Sequence, residues 1–266
     1  MNSHLFDAAA ECLDARDPGH KASLTHNTAR RWSNGELDRV AEHPAKPEVE
    51  AGIPERPVLV PPRKLHSRKL QTREGHAALI HSICHIEFNA INLAWDAVYR
   101  FRDMPTDFYD GWVRVADEEA THFEMLRQHL NSLGFDYGDF DAHNGLWEMA
   151  QKTAHDPLVR MALVPRVLEA RGLDVTPAIM EKLSAVGDDS AVAILELILR
   201  DEVGHVEIGS HWFQYLCRQR GQNPEPTFRE LLKQYMKGRL KGPFHKEARL
   251  RAGFSEQELA YLEGIG

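Results

Sequence analysis

One arrangement of glutamates and histidines occurs twice in this 266-residue chain and limits the folds that the chain can adopt. In each copy a single glutamate precedes a Glu-x-x-His motif by almost the same distance, 32 residues in the first and 33 in the second. The first copy consists of Glu87, Glu119 and His122, and the second of Glu169, Glu202 and His205. Because residues three apart share one face of an α-helix, each Glu-x-x-His pair can bind one metal ion. The repeat therefore predicts a helical protein with metal ligands on four helices.

The apolar residues around both copies recur with the period of an α-helix. They predict long helices over residues 74–101, 107–133, 158–171 and 190–220, and a short helix over 176–184. All six glutamates and histidines fall on apolar faces. Glu87 lies about 14 residues before the end of its helix and Glu119 about 12 after the start of the next, so at ~1.5 Å per residue both carboxylates reach one level. Pro165 lacks an amide hydrogen and is expected to bend the third helix one turn before Glu169.

Four helices of this kind bring four carboxylates and two imidazoles together, as in the dinuclear carboxylate proteins of the ferritin-like class. The predicted fold class is all-α, a ferritin-like four-helix bundle with an N-terminal arm and additional C-terminal helices. Buried glutamates repel one another and each costs several kcal/mol unless cations offset the charge. We therefore predict two bound iron ions, with manganese as the alternative, because zinc sites favour cysteine or three histidines. Each copy of the repeat is expected to bind one ion.

Four other polar residues lie close to the repeat in the sequence. Glu118 and Asp201 precede the two Glu-x-x-His motifs and are predicted to accept hydrogen bonds from metal-bound histidines, the alternative being solvent-facing helix acids. His81 and His85 have the i, i+4 spacing of zinc ligands. They lack an evident third ligand and lie away from the centre of the Glu87 face, so a structural or surface role is predicted.

The chain divides into three predicted parts. Residues 1–72 form an arm, in which the prolines between Pro44 and Pro62 forbid a helix. Residues 73–222 form the bundle, and residues 223–266 form shorter amphipathic helices packed on it, interrupted by the Gly242-Pro243 turn. The arm is expected to wrap the bundle or to mediate association, for instance as a homodimer.

Composition restricts the partners. No apolar run approaches the ~20 residues of a membrane-spanning helix, and the first residues lack the pattern of a secretory signal, so a cytoplasmic protein without a membrane partner is expected. Cys12, Cys84 and Cys217 are predicted to be reduced, partly buried thiols. The net charge of −8 argues against general nucleic-acid binding, although residues 229–251 hold eight Lys or Arg against two Glu. That run is interpreted as a solvated helix face or as a polyanion-binding surface.

Four segments together resemble the bacterial ferritin-like family catalogued as domain of unknown function 455; they are HIEFNAINLAWDAVYRF, DEEATHFEMLRQHL, ALVPRVLEARGLDVTP and RDEVGHVEIGSHWF. The resemblance covers most of the chain, including the proline-rich arm and the tail GPFHKEARLRAGFSEQEL. More distantly, Asp201-Glu202-x-x-His205 is similar to the Asp-Glu-x-Arg-His element of di-iron monooxygenases, and the segment 168–171 to a stretch of the ferritin-like tRNA hydroxylases. Thr121 and Gly204 stand where that element has arginine, so the resemblance implies the metal ligands rather than a specific monooxygenase reaction.

Three functions fit this pattern. The first is an O2-dependent oxidoreductase of the hydroxylase or monooxygenase type, which needs an electron donor and an unknown small-molecule substrate, or tRNA docked on the basic run. The second is a non-enzymatic iron or manganese protein for storage, buffering or sensing. The arm and tail are expected to obstruct ferritin-type cage assembly, which favours the enzyme. The third is a helical interaction protein in which the metal only stabilises the fold.

Overall fold

The computed structural model describes residues 4–41, 44–46, 49–66, 68–236 and 240–264. Over these ranges the chain is all-helical, with 71% of it in helices and no strand. The chain divides into two compact units, Met1–Gln151 and Lys152–Gly266. Pro47 of the proline-rich segment and Lys237 and Arg239 of the basic run lie outside the described residues. The predicted all-α class is confirmed for the part of the chain that is described.

The first unit is built on a hairpin of two long helices. Its helices are α1 (Leu5–Asp14), α2 (Pro18–Ser33), α3 (Arg73–Arg100), α4 (Thr106–Ser132) and α5 (Gly145–Lys152). The guanidinium of Arg73 at the start of α3 donates to the carbonyl of Leu133 just beyond α4, so the two helices run antiparallel. Both helices lie within one residue of their predicted bounds at each end.

The first 33 residues contain more helix than the arm pattern indicated. Helix α1 packs on α3, and α2 packs on α4. The buried face of α2 combines the polar residues Lys21, Thr25 and Thr28 with two alanines. The Lys21 ammonium donates to the carbonyls of Cys12 and Leu13 at 2.7 and 3.0 Å and to the side chain of Asn92 at 2.7 Å. These hydrogen bonds offset the cost of burying the lysine charge.

The second unit also contains a helical hairpin. Its elements are α6 (Pro157–Leu163), a π-helical turn (Val164–Glu169), α7 (Ala170–Ala185), α8 (Asp189–Gln219), α9 (Pro224–Met236), α10 (Lys246–Arg251) and α11 (Glu256–Gly264). The guanidinium of Arg220 after α8 donates to the carboxylate of Asp156 before α6, so these two helices run antiparallel. The prediction that the third helix ends near Arg171 is wrong, because the chain stays helical through Gly172 to Ala185. The predicted short helix over 176–184 is the second half of α7.

Pro165 changes the local helix type in the way that its missing amide hydrogen suggests. Where a bend was expected, the structure has a π-helical turn, which begins at Val164 and ends at Glu169. The turn lies against α8 at Gly209, where a Cβ atom would stand 2.3 Å from Cγ of Pro165. Only a glycine at position 209 lets α8 approach the proline ring this closely.

The Gly209→Ala variant is expected to be less stable by about 1–3 kcal/mol, because the rigid Pro165 ring has no rotamer that makes room for the added methyl group. Gly204→Ala on the same helix is a matched control, since its Cβ meets no atom within 4 Å. Alanine has a higher helix propensity than the flexible glycine, so this control should be more stable than the wild type by up to about 1 kcal/mol. Urea unfolding of both variants measures the difference. Equal free energies of unfolding for the two variants would show that the close contact between Gly209 and Pro165 does not affect stability.

Three further predictions concern residues outside the repeat. Cys12, Cys84 and Cys217 are free thiols, as predicted, and all three are buried. Within the described ranges, no helix has the length and apolar character needed to cross a membrane. In the basic run, Arg249 is 1% exposed, so it is not part of a solvated face or of a polyanion-binding surface.

Candidate metal centre

Three of the predicted ligands meet between α3 and α4. Glu87 lies 13 residues before the end of α3 at Arg100, and Glu119 lies 13 residues after the start of α4 at Thr106. In an antiparallel pair these equal distances place both carboxylates at one level. Nδ1 of His122 lies 3.3 Å from Oε2 of Glu87 and 3.5 Å from Oε2 of Glu119. Each of the three residues has a ligand atom within 4.8 Å of those of the other two.

The charges of this first cluster are shielded from water, because none of its three side chains is more than 3% exposed. Burial raises the pKa of Glu87 well above its usual value, and the nearby Glu119 carboxylate raises it further. Burial by itself would lower the pKa of His122, but the carboxylates of Glu119 and Glu87 outweigh that effect and raise it to about 11. At neutral pH the cluster therefore retains protons that offset its negative charge. A divalent cation provides the same compensation.

The second cluster repeats part of this geometry inside the second unit. Nδ1 of His205 lies 3.9 Å from Oε2 of Glu202, so the same ring nitrogen faces the same glutamate oxygen as in the first Glu-x-x-His motif. Glu169 is 9% exposed and closes the π-helical turn. It lies 16 residues before the end of α7 at Ala185, and His205 lies 16 residues after the start of α8 at Asp189. Glu169 and His205 therefore reach the same level on neighbouring antiparallel helices.

The donor atoms suit iron or manganese. The first cluster offers two carboxylates and one imidazole nitrogen, and the Glu202–His205 pair offers one of each. All of these side chains are buried, and iron and manganese accept such ligands. Burial and the nearby Glu119 carboxylate raise the pKa of Glu87, so its charged form is disfavoured unless a proton or a cation compensates it. In the first cluster, all three side chains are close enough together to hold a divalent metal ion. In the second, the neighbouring side chains of His205 and Glu202 could hold one.

The two acids predicted to support the ligands contact arginines on their own helices. Oε1 of Glu118 lies 3.9 Å from Nε of Arg114, and Oδ1 of Asp201 accepts a hydrogen bond from Nε of Arg200 at 3.0 Å. Both acids are half-buried. Hydrogen bonds from the metal-binding histidines to Glu118 and Asp201 stay a prediction.

His81 and His85 have the structural role that the sequence predicted. Nε2 of His81 accepts the amide hydrogen of Gly138 at 3.0 Å, and Nδ1 of His85 lies 2.9 Å from the hydroxyl of Tyr137. Burial lowers the pKa of both histidines to about 4, so both are neutral at physiological pH. They hold the loop after α4 against α3.

The residues that precede Glu169 differ from the predicted pattern. A regular helical period over 158–171 would bury the apolar Leu168 and expose Arg166, yet Leu168 is half-buried and Arg166 is fully buried. The π-helical turn contains a longer hydrogen-bonded ring than an α-helix and so shifts the helical phase. A periodicity of 3.6 residues gives no signal for Arg166, although Pro165 beside it marks the site of the irregularity.

These observations define a helical protein with buried glutamate–histidine clusters that are suited to divalent metal ions. A family model described as "Protein of unknown function (DUF455)" matches residues 14–260, and the chain belongs to this family. An uncharacterized protein of Haemophilus influenzae is 52% identical over 219 residues, which cover 80% of this chain and 76% of that protein. No solved structure matches the chain. The predicted family is confirmed, and its ferritin-like character stays a prediction.

Proposed function

We propose that this protein is a dinuclear iron carboxylate protein, with manganese as the alternative metal, that acts as an O2-dependent oxidoreductase on a small organic substrate. The observation that carries the proposal is the first cluster, where the buried carboxylates of Glu87 and Glu119 both face Nδ1 of His122. Apolar side chains of similar volume generally stabilise a core as well as buried charges do, or better. Such a cluster is therefore better explained by metal binding than by stability.

The similar construction of the two hairpins supports a ferritin-like arrangement. In the first hairpin Glu87 on α3 stands level with Glu119 on α4, and in the second Glu169 stands level with His205 on α8. Ferritin-like dinuclear sites use one glutamate from each of two helices and a Glu-x-x-His motif from each of the other two. We propose that Glu87, Glu119 and His122 would hold one ion and that Glu169, Glu202 and His205 would hold the other.

The proposed reaction follows from what the chain supplies around the metals. A reduced iron pair, when bound, supplies the electrons that activate dioxygen. His122 must release the proton from Nδ1 to act as a ligand, and the glutamates provide the negative charge that balances the cations. Phe88 and Phe123, which follow Glu87 and His122 in the sequence, are buried with ring centroids 5.4 Å apart. This ring pair forms part of the apolar core between α3 and α4.

Iron-loaded protein, reduced without oxygen and then mixed with oxygenated buffer, is expected to consume O2 and to gain near-ultraviolet absorption as the iron becomes ferric. Stopped-flow absorbance and an oxygen electrode measure both changes. Glu119→Ala removes a ligand and should abolish both. Iron that binds without any reaction with O2 would contradict the oxidoreductase proposal and would favour a protein that stores or buffers metal.

A further inference from the structure

Arg166 is a buried charge in the π-helical turn, three residues before Glu169. Its Nη2 lies 2.8 Å from both carboxylate oxygens of Glu258 in α11, and its Nε donates to Oγ of Ser210 in α8 at 3.1 Å. Such a pair is costly to break, because removal of either partner leaves an uncompensated charge. Glu258 therefore holds the turn in a fixed position.

Three aromatic rings complete the surroundings of this guanidinium. Its central carbon lies 4.7, 4.3 and 4.5 Å from ring centroids that belong to Phe213, Phe228 and Phe254. Cation–π contacts of this length are favourable, and more so when the cation is removed from water. These contacts restrict the orientation of the guanidinium plane as well as the position of its charge.

Arg249 in α10 fixes the other side of Glu169. Its Nε and Nη2 donate to the two carboxylate oxygens of Asp174 at 2.9 and 2.8 Å. Its Nη2 also donates to the carbonyl of Ala170 at 3.3 Å, and Ala170 directly follows Glu169. The C-terminal helices thus hold the chain on both sides of this glutamate.

The π-helical turn needs such external contacts. Pro165 cannot donate an amide hydrogen bond, and π-helical geometry is rare outside single turns at functional sites. Relaxation to a regular α-helix would shift the phase by one residue, or about 100° around the helix axis. A rotation of that size would change the direction of the Glu169 carboxylate relative to α8, which carries Glu202 and His205.

We propose that helices α10 and α11 act as a clamp that fixes the π-helical turn and thereby aims the Glu169 carboxylate at the metal ion bound by Glu202 and His205. Arg166, Arg249 and Glu258 are positioning residues in this account and do not contact the metal. The inference rests on the metal site of the proposed function.

Cobalt(II) titration of the metal-free full-length protein tests the clamp, because the visible absorption of cobalt reports both binding and ligand geometry. The Glu258→Gln variant removes the charge that pairs with Arg166 and preserves the side-chain shape. It is expected to bind one of the two cobalt ions about tenfold to a hundredfold more weakly, with a changed spectrum. The matched control is Glu263→Gln on the same helix, whose carboxylate makes an exposed pair with Lys246 at 2.9 Å. That control should titrate like the wild type.

Thermal unfolding of the metal-free variants separates positioning from a general loss of stability. A purely structural contact would lower the melting temperature of Glu258→Gln and leave the cobalt affinity and spectrum of the folded protein unchanged, which would overturn the clamp alone. Should Glu258→Gln fail to fold, Ser210→Ala removes just the acceptor of Arg166 Nε, and a smaller loss of affinity in the same direction is expected. Unchanged binding by a folded Ser210→Ala variant would then overturn the clamp. Wild-type protein that binds no cobalt would overturn the proposed metal site, and the clamp with it.

Discussion

Replacement of His122 by alanine is expected to lower the metal content from about two ions to about one per chain, with an affinity loss on the order of a hundredfold or more at the vacated position. Nδ1 of His122 is the nitrogen that both Glu87 and Glu119 face, at 3.3 and 3.5 Å. Without it, the first ion keeps carboxylate ligands alone. His205→Ala is expected to have the matching effect on the second ion, because its Nδ1 faces Glu202. Elemental analysis after metal loading and dialysis measures the metal content of each variant. Competition with a chelator of known affinity measures the loss of metal affinity.

The exposed His20 provides a matched control for these substitutions. His20→Ala should retain the full metal content. Full retention by His122→Ala as well would exclude this histidine from the site. Loss of both ions from each single variant, with the fold intact, would show that the two positions bind metal cooperatively.

Glu87→Gln is expected to stabilise the metal-free protein and to weaken metal binding. An unfolded glutamate titrates near pH 4.5, whereas the folded protein raises the pKa of Glu87 well above that value. Between those two values the folded state holds a proton that the unfolded state releases, so the stability contributed by Glu87 falls as the pH rises. The glutamine variant lacks this loss and should be more stable than the wild type by at least about 1 kcal/mol at pH 8.

Urea unfolding of both proteins between pH 5 and pH 9, in the presence of a chelator, measures this difference. The two stability curves should separate as the pH rises. His122 adds a further decline above pH 6.5 as long as its pKa stays raised, because it too holds a proton that the unfolded chain releases. Glu196→Gln, at an exposed position on α8, controls for the loss of one negative charge. A glutamine variant less stable than the wild type without metal would show that the Glu87 carboxylate belongs to a structural network.

The long helices that carry the first cluster could be predicted from sequence because their buried faces are largely apolar. Helices α3 and α4 lie within one residue of their predicted bounds, and Glu87, Glu119 and His122 meet as their spacing indicated. A three-residue spacing on one helix and an equal distance from a shared turn are purely geometric constraints. They do not depend on the details of packing.

Helix α2 was hidden from the sequence for the opposite reason. Its buried side includes Lys21, Thr25 and Thr28, whose polar groups are satisfied by specific partners such as Asn92 and the indole of Trp95. A pattern of apolar residues cannot reveal a face that is buried through hydrogen bonds. The partners become visible when the tertiary structure brings distant segments together.

The sequence predicted the position of the irregularity at Pro165 but not its π-helical conformation. Pro165 correctly marked an irregularity, yet the sequence gives no indication that Arg166 would turn inward to meet Glu258 from the C-terminal helices. The third helix was predicted to end at residue 171, just before Gly172, yet the helix continues through this glycine, where a Cβ would meet no atom within 4 Å. A glycine inside a helix costs about 1 kcal/mol, which tertiary packing readily offsets.

We propose that the six glutamates and histidines bind two metal ions. The most direct measurement is the metal content of the purified wild-type protein by elemental analysis, before and after loading with iron(II) or manganese(II) without oxygen. We expect about two tightly bound ions per folded chain, resistant to dialysis. A folded protein that takes up neither metal would contradict it and would leave the buried carboxylates of Glu87 and Glu119 compensated by protons alone.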